Sequence, residues 1–184
     1  MNIDLDISKQ SYVEPTLREN VLDGYKYVPN YSSEDRTVYK KDDDIKIGYR
    51  GSTTTQDWLS NVNYLSLGRE RVDPQYISDN LEFQKLKAEN PNANISVTGH
   101  SRGGSRADAI SRKYKVPTTG FNPASTPMDI FKPTNPLKTT YRTALDPVSL
   151  FGKNLPGVNT IVGKSKDLAQ AHALTEFDNP LFIK

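Results

Sequence analysis

The sequence predicts an α/β fold in which a mostly parallel central sheet is flanked by helices. The first observation is a β-branched, partly apolar run at residues 95–98 that enters a G-x-S-x-G motif at residues 99–103. An apolar-periodic segment follows at once, so a strand, a sharp turn and a helix succeed one another. The second observation is a helical stripe at residues 77–86, which connects two predicted strands as the crossover of a right-handed βαβ unit does.

The G-x-S-x-G turn is the strongest chemical signal in the chain. Gly99 and Gly103 suit a backbone so tightly folded that a Cβ would collide with the neighbouring turn. Such a turn exposes the Ser101 hydroxyl, and it directs the first free helical N–H, that of Arg102, to where a substrate oxygen would become negative. The alternative is a chance match in a loop, which the flanking strand and helix disfavour. Ser101 is therefore a candidate nucleophile.

Composition limits the classes of function. The length predicts one domain over residues 1–184, which is large enough to form a hydrophobic core without disulfide bonds. The absence of cysteine excludes disulfides and thiolate metal sites, and a net charge of +2 is too weak a signal for a nucleic-acid partner. No apolar run approaches the roughly 20 residues of a membrane span. Residues 3–7 alternate apolar and acidic side chains, which predicts a strand and not a signal peptide.

Three short patterns organise the next part of the chain. Residues 16–19 have capping-box spacing and predict a short helix that stops at Gly24. Residues 36–40 and 45–49 predict a hairpin around an acidic turn at residues 42–44. The three aspartates of this turn invite a metal hypothesis, but consecutive side chains point in different directions, so a solvated turn is the preferred interpretation. No metal site is predicted.

A loop of glycine and hydroxyl residues follows the hairpin. Gly51 and Ser52 come directly after a buried strand, as the second donor of an oxyanion site does. The alternative is an ordinary turn in which Ser52 caps a helix. Trp58, the single tryptophan, is expected to line the core or a substrate-binding pocket. Residues 61–73 have no firm period and are predicted to form a flap over the site.

The helix after the G-x-S-x-G turn carries a dense set of basic residues. We expect Ala107, Ile110 and Tyr114 to face the core. The basic side chains lie elsewhere on this segment, at Arg102, Arg106, Arg112, Lys113 and Lys115. A solvated helix face is the preferred interpretation, and transient contact with an anionic membrane surface is the alternative.

An acid and a histidine follow the serine in a suggestive order. Residues 139–145 predict a strand that ends at Asp146, although an Asp-Pro pair is also a frequent turn starter. The chain has two histidines, and His100 lies inside the sharp turn, which directs it away from the Ser101 hydroxyl. His172 is therefore the available base. The order Ser101, Asp146, His172 is one of the known orders of a catalytic triad.

Together these residues resemble the class 3, fungal-lipase-like branch of the α/β-hydrolases. Residues 97–104 are similar to the family's nucleophile turn, and residues 49–52 with Asp57 and Trp58 to its oxyanion loop. Residues 146–148 are similar to its acid motif, and His172 with the later Phe177 to its terminal histidine region. The resemblance covers residues 45–177, with the motifs in the family's order.

The resemblance implies a compact α/β-hydrolase that cleaves carboxylic esters of lipids or small molecules without a cofactor. Ser101, His172 and Asp146 would form the triad, and the N–H groups of Ser52 and Arg102 the oxyanion hole. A small-ester esterase, a non-catalytic scaffold and a membrane-surface binding protein remain the alternatives. A short chain without a leader suits a cytoplasmic or virion-associated location. Its oligomeric state cannot be read from the sequence.

Overall fold

The computed structural model describes residues 2–52, 73–133, 135–153, 155–163, 167–178 and 181–182. These residues form a nine-stranded sheet whose strands lie in chain order from β1 to β9. The strands are β1 Val21–Leu22, β2 Tyr25–Tyr27, β3 Arg36–Lys41, β4 Asp44–Tyr49, β5 Asn94–His100, β6 Thr118–Phe121, β7 Lys138–Thr143, β8 Val158–Val162 and β9 Leu181–Phe182. The centre, β4 to β8, is parallel, and both edges are antiparallel.

Four helices accompany the sheet within the described residues. They are α1 Ile3–Gln10, α2 Pro74–Glu89, α3 Arg102–Tyr114 and α4 Leu168–Ala171. A Cβ on Gly48 would lie 2.8 Å from Ile7, so this strand position faces α1. Its neighbour Ile47 packs in the core with Ala107 and Ile110 of α3. Since neighbouring strand residues face opposite sides, α1 and α3 cover opposite faces of the sheet. Among the described residues, no helix combines the length and apolar character needed to cross a membrane.

The hairpin and the central crossover are confirmed. β3 and β4 pair antiparallel around the acidic turn, and Val38 lies opposite Ile47. α2 then leads to β5, which pairs parallel with β4. The α2 stripe itself was only partly right, because Ile77 and Leu81 are exposed whereas Phe83 is buried. Tertiary packing therefore selects a different face of α2 from the one that apolar spacing indicates.

The strand predicted at residues 3–7 is wrong, because this segment is helix α1. The Asn2 side chain accepts hydrogen bonds from the N–H groups of Asp4 and Leu5, which caps the helix start. Asp4 and Asp6 lie in the first turn, where the helix dipole favours acidic groups. Leu5 and Ile7 are nonetheless both buried.

The short helix predicted at residues 16–19 is also wrong. Pro15–Leu17 forms a single 3-10 turn, and Arg18 is already extended. Glu19 pairs instead with Gln10: its N–H donates to Gln10 Oε1, and its side chain accepts from Gln10 Nε2. These contacts between two chain segments replace the local capping box.

The basic segment of α3 is not one solvated face. Ala107 and Ile110 are buried as predicted, but Arg106 is also only 4% exposed. Its guanidinium binds the buried Asp79 of α2 through two hydrogen bonds of 2.6 and 2.7 Å. Arg102 likewise pairs with Asp73, at 2.5 Å. Arg106 and Arg102 therefore hold α2 against α3, and Arg106 is unavailable to a membrane surface.

Candidate active site

Ser101 lies in the turn between β5 and α3, at the carboxyl edge of the parallel sheet. Its φ of 54° and ψ of −126° are strained for a residue with a Cβ. A Cβ on Gly99 would lie 2.4 Å from the Gly103 carbonyl, and one on Gly103 would lie 2.0 Å from the Tyr49 carbonyl oxygen. The close approach predicted for both glycines is confirmed, and it makes this sharp turn possible.

The loop after β4 runs directly past this turn. A Cβ built on Gly51 would lie 2.6 Å from the His100 carbonyl oxygen and 3.1 Å from Ser101 Cβ. Only a glycine lets the two backbones approach so closely. The structure thus brings Gly51, and with it Ser52, beside Ser101.

The N-terminus of α3 faces the same region. The carbonyl of Ser101 accepts hydrogen bonds from the N–H groups of Gly104 and Ser105, as the first helical turn requires. The N–H of Arg102 donates no hydrogen bond to any described residue and lies at the positive end of the helix. This N–H is a pre-oriented donor for a developing negative charge.

Asp146 follows β7 and is buried. Its Oδ1 accepts from the N–H of Val148 at 3.0 Å, and its Oδ2 from the N–H of Ser149 at 3.0 Å. Burial by itself would raise the pKa of Asp146, but the hydrogen bonds from His172, Ser149 and Val148 hold this pKa below 3.8. The carboxylate is therefore ionised at neutral pH and fixed in orientation.

His172 lies 2.9 Å from Asp146, measured from Nδ1 to Oδ1. Because the carboxylate can only accept, the imidazole donates from Nδ1, which leaves Nε2 as an acceptor. The structure therefore brings these two predicted residues together. Among the described residues, the Ser101 hydroxyl makes no hydrogen bond, and catalytic hydrogen bonds of this kind are often long before substrate binds.

A second histidine supports the first. His100 Nε2 lies 2.7 Å from the main-chain carbonyl of His172, and the two rings are 4.6 Å apart. On its other side, His100 Nδ1 lies 2.7 Å from the Tyr12 hydroxyl, which also accepts from the N–H of Gly51 at 3.1 Å. The prediction that His100 points away from the Ser101 hydroxyl agrees with these contacts.

The hydrogen bonds of His100 fix its tautomer. A carbonyl accepts at Nε2, so Nε2 carries the proton and Nδ1 accepts from the Tyr12 hydroxyl. Burial and the neighbouring His172 lower the pKa of His100 to about 3. Burial raises the pKa of Tyr12 to about 12, which keeps its hydroxyl protonated. Both groups are therefore neutral throughout the physiological range.

Asn122 anchors the segment that carries His172. This residue has a positive φ of 41° and is fully buried. Its amide nitrogen donates to the carbonyls of Ala171 and His172, at 3.0 and 3.2 Å, and its amide oxygen accepts from the N–H of Thr143 at 2.8 Å. Asn122 thereby joins the end of β7, which precedes Asp146, to the histidine segment.

Arg106 supports the opposite side of the site. Its third guanidinium nitrogen donates to the carbonyl of Arg50 at 3.0 Å, one residue before Gly51. The same guanidinium stacks over the Tyr49 ring at 5.4 Å. The buried pair with Asp79 therefore also holds the strand end that leads into the Gly51 loop.

Sequence reasoning did not find four supporting residues: Tyr12, Asp79, Arg106 and Asn122. The sequence offered two weak signals for them. One was the charge of Asp79 and Arg106, which would need an ion partner if buried, and the other was an asparagine directly after a strand. Trp58 and residues 61–72 of the predicted flap lie outside the described residues. Asp73 is described, and it caps α2 by accepting from the N–H of Gln75 at 2.9 Å.

Comparisons with known proteins identify the architecture. No protein-family model matches the chain, and no curated protein matches it. Among solved structures, the chain is similar to the native propeptide complex of Rhizomucor miehei lipase, at 14% identity over 89% of this chain and 67% of that chain, with a TM-score of 0.54. The fold is that of a fungal-lipase-like α/β-hydrolase.

Two further solved structures agree with this fungal-lipase-like fold. A mutant form of MDLA from Penicillium cyclopium is 14% identical over 98% of this chain and 83% of that chain, with a TM-score of 0.57. A fungal lipase is 12% identical over 98% of this chain and 83% of that chain, with a TM-score of 0.55. At such identities the likeness concerns the backbone architecture, so any activity has to be argued from the residues of this chain.

Proposed function

We propose that this protein is a serine hydrolase that cleaves carboxylic esters, with lipid acyl esters as the substrate class. One observation carries the proposal: a serine with a strained backbone shares the carboxyl edge of the sheet with a histidine whose Nδ1 is 2.9 Å from a buried carboxylate. Ester hydrolysis needs a nucleophile, a base and a group that orients the base. Solved lipases with the same fold support the lipid substrate class.

In the proposed reaction, Ser101 Oγ attacks the ester carbonyl carbon while its proton passes to His172 Nε2. The oxyanion accepts hydrogen bonds from the N–H groups of Arg102 and Ser52. His172 then donates that proton to the departing alcohol, and an acyl group remains on Ser101. A water molecule, deprotonated by His172, then attacks the acyl carbon; the bond to Ser101 Oγ breaks, the carboxylic acid leaves, and His172 returns the proton to Ser101. Asp146 stabilises the imidazolium in both halves.

The test measures hydrolysis of p-nitrophenyl esters with acyl chains of two to sixteen carbons. We expect Ser101→Ala and His172→Ala each to lower kcat about a millionfold, and Asp146→Asn to lower it about ten-thousandfold. The control Ser96→Ala, in the strand β5 that leads to Ser101, should keep wild-type rates. Equal background hydrolysis by wild type and Ser101→Ala would overturn the proposal.

Acyl-chain length tests the substrate class separately. An optimum at eight carbons or more supports lipid esters, and an optimum at two to four carbons would replace them with small esters while retaining the hydrolase. Covalent capture by a phosphonate ester gives an independent readout of the nucleophile. We expect one adduct per chain in the wild type and none in Ser101→Ala. A wild type that captures no phosphonate would instead favour a non-catalytic scaffold.

A further inference from the structure

A polar pocket outside the candidate active site lies on the α3 side of the sheet. It is bounded by α3, by β7 and by the segment after β6, and its lining contains neither Ser101, Asp146 nor His172. Four cationic side chains line it, Arg112, Lys132, Lys138 and Arg142, together with two acidic ones, Asp108 and Asp129. The net charge of these six side chains is therefore +2.

Arg142 differs from the other three cations. Arg112 and Lys138 pair with Asp108, at 2.9 and 3.4 Å, and Lys132 pairs with Asp129 at 2.7 Å. The Arg142 side chain is 97% buried by contrast, and no carboxylate of a described residue lies within 4.0 Å of it. Its hydrogen bonds are long: 3.3 Å from Nε to Ser149 Oγ and 3.4 Å from Nη2 to the Asp146 carbonyl.

The Asp146 carboxylate does not form an ion pair with Arg142. Its oxygens already accept from the N–H groups of Val148 and Ser149 and from His172 Nδ1. A buried guanidinium without an ion partner is costly, since its charge has lost its hydration. Burial accordingly lowers the pKa of Arg142 from 12.5, and the field of Asp146 offsets part of this effect.

Two buried hydroxyls of the same pocket also have a hydrogen-bond donor to spare. Thr126 is 4% exposed and Thr140 is 2% exposed. The Thr140 Oγ1 has no hydrogen-bond partner among the described residues, and both residues line the pocket. Thr126 forms a capping box with Asp129, in which its Oγ1 faces the Asp129 N–H as an acceptor, so its hydroxyl proton is left as a donor. Buried polar groups are nearly always hydrogen-bonded, so an unpartnered hydroxyl and a second free hydroxyl proton beside an unpaired guanidinium indicate a missing acceptor. Water would satisfy the hydroxyls but would supply no negative charge to Arg142.

We propose that this pocket binds a phosphate group. Arg142 provides the charged donor, and the hydroxyls of Thr126 and Thr140 provide two neutral donors. A phosphate carries about 1.5 to 2 negative charges near neutral pH and at least three strongly accepting oxygens, which suits both the positive net charge and the donors of the pocket. The group belongs either to inorganic phosphate or to a small phosphate monoester. The proposal does not rest on the proposed ester hydrolysis, although Arg142 also donates to the Asp146 carbonyl.

Isothermal titration calorimetry of the full chain with inorganic phosphate, at constant ionic strength in sodium chloride, tests the proposal. Thr140→Val removes one hydroxyl while it keeps the shape of the side chain, so we expect phosphate affinity to fall at least about tenfold. Thr118→Val is the matched control, because the Thr118 hydroxyl is also buried and unpartnered but does not line the pocket. It should leave the affinity unchanged.

Several outcomes would overturn the proposal. These are the absence of phosphate binding by the wild type at millimolar concentration, equal binding by Thr140→Val and the wild type, and heat from acetate but not from phosphate. Titration with glycerol 3-phosphate distinguishes the two sources. If glycerol 3-phosphate binds more tightly than inorganic phosphate, and Thr140→Val weakens this binding, the natural ligand is a monoester. If glycerol 3-phosphate binds more weakly, the ligand is the free ion. Circular dichroism confirms that each variant is folded.

Discussion

The Tyr12 hydroxyl lies 2.7 Å from His100 Nδ1 and also accepts the N–H of Gly51. This hydroxyl therefore connects the turn after helix α1 to both sides of the candidate site. On one side is the loop with Ser52, and on the other is His100, which donates to the His172 carbonyl. The relative placement of the proposed oxyanion donors and of the proposed base depends on this chain of hydrogen bonds.

We predict that Tyr12→Phe lowers both stability and activity. The change leaves the N–H of Gly51 and Nδ1 of His100 without a partner, which should cost about 1–3 kcal/mol of unfolding free energy. Because Gly51 then holds Ser52 less firmly, kcat for p-nitrophenyl esters should fall more than KM rises. Urea unfolding and steady-state kinetics measure the two effects.

Tyr31→Phe is the control for that change. Tyr31 donates to Glu89 on the exposed surface, where a hydrogen bond contributes little to stability. We expect its stability and kcat to stay at wild-type values. Full activity in Tyr12→Phe would show that the hydroxyl does not position the site.

His100 makes stability depend on pH. Its pKa is about 3 in the folded chain and 6.5 in an unfolded one, so between these values the unfolded state binds the extra proton. Stability is therefore lost as pH falls from 6.5 towards 3, by about 1.4 kcal/mol per pH unit from this group. In His100→Gln, whose amide can still donate to the His172 carbonyl, this contribution should disappear.

Urea unfolding from pH 4 to pH 7.5 measures the effect as a difference between the two proteins. Carboxylates with a lowered pKa, such as Asp146, add a loss of the same sign at low pH in both. The comparison therefore isolates His100. Parallel pH profiles for wild type and His100→Gln would contradict the assignment of a neutral, buried imidazole.

The central part of the fold could be predicted from the sequence because its signals are local. The G-x-S-x-G turn is fixed by two glycines, and the β3–β4 hairpin by alternating residues around one acidic turn. The pairing of Asp146 with His172 was predicted from chain order and residue type, since the carboxyl ends of parallel strands meet at one edge of the sheet.

The rest of the site depends on contacts between distant segments. The burial of Arg106 requires Asp79, 27 residues earlier in the chain, and the bond between Tyr12 and His100 spans 88 residues. At residues 3–7, Ile3 and Ile7 share a face in either a strand or a helix, so alternation alone did not decide between the two. The Asn2 cap decided in favour of the helix.

The backbone segments at the serine turn lie so close together that we expect alanine to be tolerated at Gly120 but not at Gly103. Gly103→Ala would place a Cβ 2.0 Å from the Tyr49 carbonyl oxygen, so we expect a loss of about 3 kcal/mol in unfolding free energy or no folded protein. In Gly120→Ala the nearest atom, Cγ of Pro123, is 3.4 Å away, an ordinary contact. This matched variant should stay within about 0.5 kcal/mol of wild type by urea unfolding. Similar stabilities of the two variants would contradict the described turn.

Because Arg106 and Asp79 form a buried ion pair, we predict that substitution of Asp79 alone lowers stability strongly and that a second substitution at Arg106 restores part of it. Asp79→Asn leaves a buried guanidinium without its carboxylate, which should cost about 3–5 kcal/mol by urea unfolding. Combining Asp79→Leu with Arg106→Met removes both charges of this pair and should recover part of that loss. Recovery is partial because the buried Arg36, 3.8 Å from Asp79, then keeps only Glu82 as an ion partner among the described residues. Lys113→Ala, on the exposed side of α3, should change stability by less than about 0.5 kcal/mol. A double variant as unstable as Asp79→Asn would show that the Arg36 contact or the hydrogen bond from Arg106 to the Arg50 carbonyl, and not the pair of Arg106 with Asp79, dominates.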